Sequence, residues 1–188
     1  MGCSTGVRSQ HHTDGDRPLA SPGFTAASST SLPEAGCSSG NFEGQVASTG
    51  LPEPVATTRT AIVPAALACD LDGLEATADI DFLTSFGGGD AASLREWETE
   101  GRGELDTPLE LLDMSHEVID MGAGRTIDVW PSAYAYESWD EVPAESVEEL
   151  GAIHTQEEIE SFDTANQSLG WRTAIDSEGR WLYFIAAD

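Results

Sequence analysis

Residues 170–188 read GWRTAIDSEGRWLYFIAAD. Two apolar runs, 171–175 and 181–185, flank a short polar connection that ends in Gly179. Aromatic and β-branched residues around such a connection are typical of a β-hairpin, and glycine supplies the positive φ that the turn needs. We therefore predict a hairpin at the C-terminal end of the chain.

The second run of this hairpin contains no polar residue. A strand that is apolar on both sides belongs inside a sheet that is covered on both faces. Strict alternation along the strand predicts that Trp181, Tyr183 and Ile185 share one face, while Leu182 and Phe184 share the other. We expect the core of the domain to form around these side chains.

The charge of the chain limits the classes of partner. There are 34 acidic and 8 basic residues, which give a formal net charge of −26, and every basic residue is an arginine. Nucleic acids and anionic membranes both require a basic surface. We therefore exclude nucleic-acid binding and expect membrane contact only through a lipid at the N-terminus.

The composition divides the chain in two. Residues 1–55 are dominated by Ser, Thr, Gly, Pro and Ala, which bury too little apolar surface to offset the entropy of the chain. We predict a disordered, flexible tether over 1–55 and a folded domain over 56–188.

The local patterns predict the elements of that domain. The β-branched residues of 55–63 indicate a strand or an extended lead-in. A Thr-Pro-x-Glu capping box at Thr107 predicts a helix that runs past His116, and a second capping box begins at Thr155. Residues 126–130 read as a strand, and apolar spacing of three and four predicts an amphipathic helix through Leu71, Leu74, Ala78, Phe82 and Phe86. Together they predict a single small α+β domain with several short helices and a small antiparallel sheet that ends in the hairpin.

The cysteines all lie near the N-terminus. The start Met1-Gly2-Cys3-Ser4-Thr5-Gly6 resembles the mature start of a bacterial lipoprotein, which implies lipid attachment at Cys3; the alternative is a start that merely contains Gly-Cys. If Cys3 carries a lipid, Cys37 and Cys69 are left to pair as a disulfide. We expect no metal site and no cofactor, because no C-x-x-C pair, ligand-spaced histidine or phosphate loop is present.

A further resemblance covers roughly residues 80–188. The stretch VWPSAYAY at 129–136 and the ending 172–188 resemble a group of uncharacterised bacterial secreted proteins, many of them actinobacterial and lipoprotein-like, that close on an aromatic hairpin. This resemblance implies a location in the cell envelope or outside the cell. It implies no activity.

Two sets of residues are candidates for chemistry or binding. His116 lies between aliphatic residues and one helical turn from Asp120, so the pair could act as a general base; the alternative is a histidine at the edge of a buried helix face. An aromatic set could line a ligand cleft or form the core, and it comprises Trp130, Tyr134, Tyr136 and Trp139. His154 is interpreted as a loop residue.

These observations leave several functions open. The first is a non-enzymatic cell-envelope protein that presents an acidic domain on a flexible tether to a protein or small-molecule partner. The second is a small-molecule-binding or hydrolytic domain with a cleft near His116 and the aromatics of residues 130–139. The third is a cytoplasmic accessory protein whose acidic surface docks a basic partner.

Overall fold

The computed structural model describes residues 38–42, 44, 50–102, 104–165 and 170–185. All of them belong to one compact unit, residues 34–188. No helix in these ranges is both long enough and apolar enough to cross a lipid bilayer.

A five-stranded sheet with helices on both faces forms the domain, so the predicted α+β class is confirmed. The strands, in the order β1-β5-β4-β3-β2, are β1 Ala78–Leu83, β2 Glu117–Asp120, β3 Thr126–Trp130, β4 Arg172–Asp176 and β5 Trp181–Ile185. The helices are α1 Glu53–Leu67, α2 Leu71–Thr77, α3 Ala92–Thr99, α4 Thr107–Asp113, α5 Ala144–Glu149 and α6 Gln156–Ala165. The sheet is mixed rather than purely antiparallel, because β1 runs parallel to β5.

Two hydrophobic clusters lie on opposite faces of the sheet. The first cluster lies under α1 to α4 and contains Trp130, Trp181 and Phe184. The second cluster lies under α5, α6 and the neighbouring single-turn helices, and contains Val129 and Ala174. The prediction that both faces are covered holds for the first face, whereas the second face is covered over part of its length.

The C-terminal hairpin is confirmed, with β4 and β5 antiparallel and Gly179 at φ 82°. Its register contains a bulge, because Ala174 pairs with Tyr183 whereas Ile175 pairs with Trp181. One extra residue reverses the alternation of side chains. Trp181 and Phe184 therefore lie in the first cluster and Tyr183 packs against the second, so the predicted division of faces is wrong.

The domain begins earlier than predicted. Residues 55–63 lie inside α1, where Val55 and Ile62 are fully buried seven residues apart, a helical spacing that outweighs β-branched propensity. Ser38 donates from its hydroxyl to Glu98 over 2.7 Å and accepts from the backbone N–H of Leu105 over 2.9 Å. Residues 38–42 and 50–55, which the composition assigns to the tether, therefore belong to the folded unit.

Two predicted helices are shorter than expected. The helix from Leu71 stops at Thr77, and the chain continues as β1 because pairing with β5 buries Phe82. Helix α4 ends at Asp113, so His116 precedes strand β2 rather than lying on a helix. The reason is the same in both cases: strand pairing satisfies backbone groups far apart in sequence, which local periodicity does not register.

The two predicted capping boxes differ. Helix α4 does begin at Thr107 but has no side-chain cap hydrogen bond. At α6 the box is formed, since Thr155 N–H donates to Glu158 Oε2 over 2.7 Å and Glu158 N–H donates to Thr155 Oγ1 over 3.3 Å. The reciprocal bonds fix the side chain of Glu158 at the start of the helix.

Candidate functional site

A groove of about 340 Å³ lies on the partly covered second face of the sheet. It runs across the end of the sheet that carries the β2–β3 and β4–β5 turns. Its aliphatic and aromatic floor includes Leu83, Met121, Ile127, Leu182 and Tyr183. Leu83 and Met121 are 43% and 52% exposed, so the floor is open to solvent.

Carboxylates and two arginines border the groove. Arg180 forms ion pairs with Asp176, with Glu178 over 3.2 Å and with Asp79 over 3.8 Å. Burial acts to raise the pKa of Asp176, but hydrogen bonds from the side chain and backbone of Arg180 hold it below the ordinary value. Asp81 is an exposed carboxylate of this border on β1. Because three carboxylates already surround Arg180, its charge is compensated within the domain.

The aromatic set does not form a cleft. Trp130 belongs to the first cluster, whereas Tyr134 and Trp139 belong to the second, and none of the three is more than 8% exposed. Tyr136 is half-buried at the end of a single-turn helix. Trp130, Tyr134 and Trp139 are therefore core residues, because all three are buried. They share no cleft, because β3 and its continuation place them on opposite sides of the sheet.

His116 does meet a carboxylate, but the partner is Asp128 and not Asp120. Its Nε2 lies 3.2 Å from Asp128 Oδ1, and its ring stacks on Trp130 with 5.2 Å between the ring centroids. Asp120 instead accepts a hydrogen bond from Gly122 N–H at the β2–β3 turn. Pairing of β2 with β3 brings Asp128 next to His116, a contact that no local spacing indicates.

Asp128 is the unusual member of this pair. It is 1% exposed on β3, between β4 and the edge strand β2, and neither of its carboxylate oxygens has a hydrogen-bond partner in the ranges that the structure describes. Burial raises the pKa of this carboxyl, and His116 opposes the rise. A buried carboxylate whose oxygens lack hydrogen bonds reduces stability, and such groups are common at functional sites.

Ser115, the neighbour of His116, belongs to a separate chain of hydroxyls. Its Oγ donates to Glu149 and lies 2.7 Å from Ser132 Oγ, which in turn donates to Ser146 Oγ over 2.8 Å. The hydroxyl of Ser115 is therefore engaged with Glu149 and Ser132.

A buried tyrosine–histidine pair was missed by the interpretation of His154 as a loop residue. Tyr134 Oη lies 3.0 Å from His154 Nε2, and His154 Nδ1 lies 3.9 Å from Glu158 Oε2. Burial lowers the pKa of His154, and Glu158 opposes this. The capping box was the available signal, because it fixes Glu158 four residues after His154. Gly170 leaves the necessary space, since a Cβ there would lie 2.0 Å from Tyr134 Oη.

Of the three cysteines, only Cys69 lies within the described residues. Cys69 is disulfide-bonded. Cys3 and Cys37 lie outside the described residues, so lipid attachment and the pairing of Cys37 with Cys69 stay predictions. Within the described ranges, no group of three or more His, Cys, Asp or Glu side chains could hold a metal ion.

No protein-family model, curated protein or solved structure matches this chain.

Proposed function

We propose that this protein is a non-catalytic binding domain whose groove receives a basic, partly apolar segment of a partner protein. One observation carries the proposal: the floor of the groove exposes aliphatic side chains, and carboxylates border it. Exposed apolar surface rimmed by polar groups is typical of a binding site.

The floor supplies the favourable energy of binding. Removing apolar surface from water stabilises a complex by about 25 cal/mol per Å². Leu83 and Met121 stand at opposite sides of the groove, on β1 and after β2, so one ligand between them would shield both. The volume of about 340 Å³ lies at the lower end of ligand pockets, about 300–1,000 Å³, and accommodates a few side chains of a segment.

Charge selects the partner. A net charge of −26 attracts a basic segment over long distance and raises its rate of association. Asp79 and Asp81 project into the groove from the edge strand β1, where lysine or arginine side chains of a partner would meet them. An acidic or neutral partner would gain the apolar contact but not the electrostatic attraction.

A labelled ten-residue peptide of alternating lysine and leucine serves as the probe. We expect Leu83→Asp to weaken its binding at least tenfold in fluorescence anisotropy at 0.15 M salt, although the variant is more acidic. Leu67→Asp is the matched control, because Leu67 is 50% exposed at the end of α1 and does not line the groove. If Leu83→Asp binds the peptide as well as or better than the native protein, attraction is purely electrostatic and the groove is not the site.

The location in the cell envelope is part of the same proposal. It is supported by the resemblance of Met1–Gly6 to a lipoprotein start and of the C-terminal half to secreted proteins. Radiolabelled palmitate in the native host should label the full chain and not the Cys3→Ser variant. Equal labelling of the two proteins would contradict lipid attachment at Cys3.

A hydrolytic activity is the second candidate, favoured by the contact between His116 and Asp128. The buried carboxylate lies 3.2 Å from a partly exposed imidazole, and a hydrogen bond that forms between them when substrate binds would orient the histidine as a general base. Hydrolysis of p-nitrophenyl acetate by the native protein and by His116→Gln is the test. Equal rates for the two proteins would exclude His116 as a base toward this ester.

A further inference from the structure

The position of Arg172 is anomalous in a chain with 34 acidic residues. Arg95 and Arg102 form ion pairs with carboxylates, and the buried Arg59 donates to the carbonyl of Leu112. The guanidinium of Arg172 has neither an ion pair nor a hydrogen bond to any residue that the structure describes. Arg125 also lacks an ion pair there, but it is exposed at the β2–β3 turn, where water satisfies it.

Aromatic rings surround Arg172 instead of carboxylates. Its guanidinium carbon lies 4.6 Å from the ring centroid of Phe86 and 5.7 Å from that of Tyr134. Burial lowers the pKa of Arg172, and the groups that oppose this are Tyr183 and Tyr134, with no carboxylate among them. A half-buried cation thus loses part of its hydration without gaining an anion.

The ring contacts leave the hydrogen-bonding capacity of the guanidinium unused. An aromatic ring face attracts the positive charge but offers no oxygen acceptor, so these two contacts satisfy none of the five N–H donors of the guanidinium. Those donors match the two oxygens of a carboxylate in a bidentate geometry. The Arg172 guanidinium is therefore packed against aromatic rings, but its N–H donors have no acceptor among the described residues.

Tyr183 adds a second donor on the same side of the sheet. Because Tyr183 pairs with Ala174 across the hairpin, Arg172 is its diagonal neighbour two residues along β4. Burial raises the pKa of Tyr183 to about 12, with Arg172 opposing, so the phenol keeps its proton at neutral pH and can donate it in a hydrogen bond. Tyr134 is already engaged with His154.

We propose that Arg172 and Tyr183 bind the carboxylate of a small monocarboxylic acid whose apolar body packs against Phe86. Phe86 is 63% exposed, so its outer ring surface is open to such a body. This site would bind an anion, whereas the groove is proposed to receive a basic segment. The two proposals are independent, although Tyr183 borders both sites.

The net charge of the chain decides how many charges the ligand carries. Screening confines the field of distant carboxylates to about 8 Å at physiological salt, so Arg172 dominates at its own site. Each additional negative charge outside that range meets the repulsion of the acidic surface. A single carboxylate on an apolar body therefore fits better than a phosphate or a dicarboxylate.

The test compares 3-phenylpropionate with its uncharged analogue 3-phenylpropionamide by NMR titration at constant ionic strength. We expect the native protein to bind the acid at least tenfold more tightly than the amide. Arg172→Gln should abolish this preference, and Arg95→Gln, which removes a guanidinium on α3 that does not line the groove, should leave it unchanged. Circular dichroism verifies that each variant is folded.

Tyr183→Phe provides a second, milder variant, in which we expect the preference for the acid to fall about threefold to tenfold. It decides the matter if Arg172→Gln does not fold. Equal affinity of the native protein for acid and amide, or no binding of either, would overturn the proposal. So would a preference for the acid that persists unchanged in the folded variants.

Discussion

The indole of Trp181 donates a hydrogen bond from Nε1 to Thr173 Oγ1 over 2.7 Å, across the C-terminal hairpin. Thr173 in turn donates from this oxygen to the carbonyl of Tyr183 over 2.8 Å. Both Trp181 and Thr173 are fully buried, and the Trp181 ring lies 4.7 Å from that of Phe82. Ring packing thus holds the hairpin against β1, and a buried chain of hydrogen bonds connects its two strands, β4 and β5.

We expect Trp181→Ala to lower the free energy of unfolding by about 3–5 kcal/mol, because it removes a buried aromatic side chain and leaves a cavity. Trp181→Phe keeps much of the apolar volume but removes the donor to Thr173, so its cost should be about 1–2 kcal/mol. Urea denaturation of the two variants and the native protein gives the ranking. A stability of Trp181→Ala near the native value would show that the indole contributes little to the core.

Two glycines with similar backbone angles distinguish the cost of a positive φ from the cost of a steric clash between a new Cβ and its neighbours. Gly179 and Gly124 have φ values of 82° and 76°. A Cβ on Gly179 would lie 2.8 Å from the carbonyl oxygen of Pro54, whereas a Cβ on Gly124 would meet nothing within 4 Å. We expect Gly124→Ala to cost about 1 kcal/mol through positive φ alone, and Gly179→Ala to cost clearly more because helix α1 must shift. Equal melting temperatures of the two variants would contradict the contact between the turn and α1.

The buried carboxylate of Asp128 should reduce stability at neutral pH. Burial raises its folded-state pKa, so the folded protein binds this proton more tightly than the unfolded chain does. Its contribution to stability therefore falls as pH rises from the ordinary carboxyl value of about 3.9 through the raised one. We expect Asp128→Asn to raise the free energy of unfolding by about 1–3 kcal/mol at pH 7, and the gain to vanish below about pH 4.

Guanidinium denaturation of Asp128→Asn and native protein between pH 3 and pH 8 measures this difference, in which the titration of groups that do not contact Asp128 cancels. Asp163→Asn, at an exposed position of α6, is the control and should change stability little at any pH. A loss of stability in Asp128→Asn at pH 7 would mean that the contact with His116 outweighs the cost of burial.

The stability of the domain should rise with salt. Acidic side chains recur at helical spacing on α5 and α6, as with Glu145 and Glu148 or Glu157 and Glu160, and such like-charged pairs each cost about 0.2–0.5 kcal/mol. We expect the urea midpoint to increase between 10 mM and 1 M NaCl, where the screening length falls to about 3 Å. Glu148→Gln should raise stability at the low salt concentration and not at the high one. A midpoint that is flat or falls with salt would show that the acidic residues are compensated locally.

The sequence by itself determined the features that depend on neighbours along the chain. These are the acidic surface, the strand at residues 126–130, the turn at Gly179 and the capping box of Thr155 and Glu158. Each depends on the residue types within one short segment, through strand propensity, backbone angle, hydrogen bonding within one turn or charge. The neighbouring residues therefore contain the information.

Only the tertiary structure decided the features that depend on distant partners. Phe82 fits a helical spacing from Leu71, but pairing with β5 makes it part of a strand. His116 faces Asp128 rather than Asp120 because β2 pairs with β3, and the bulge at Leu182 sends Tyr183 toward Arg172. Pairing and register are set by contacts between segments far apart in sequence, and a one-residue shift exchanges the two faces of a strand. Both candidate binding surfaces lie where those contacts leave part of the sheet uncovered.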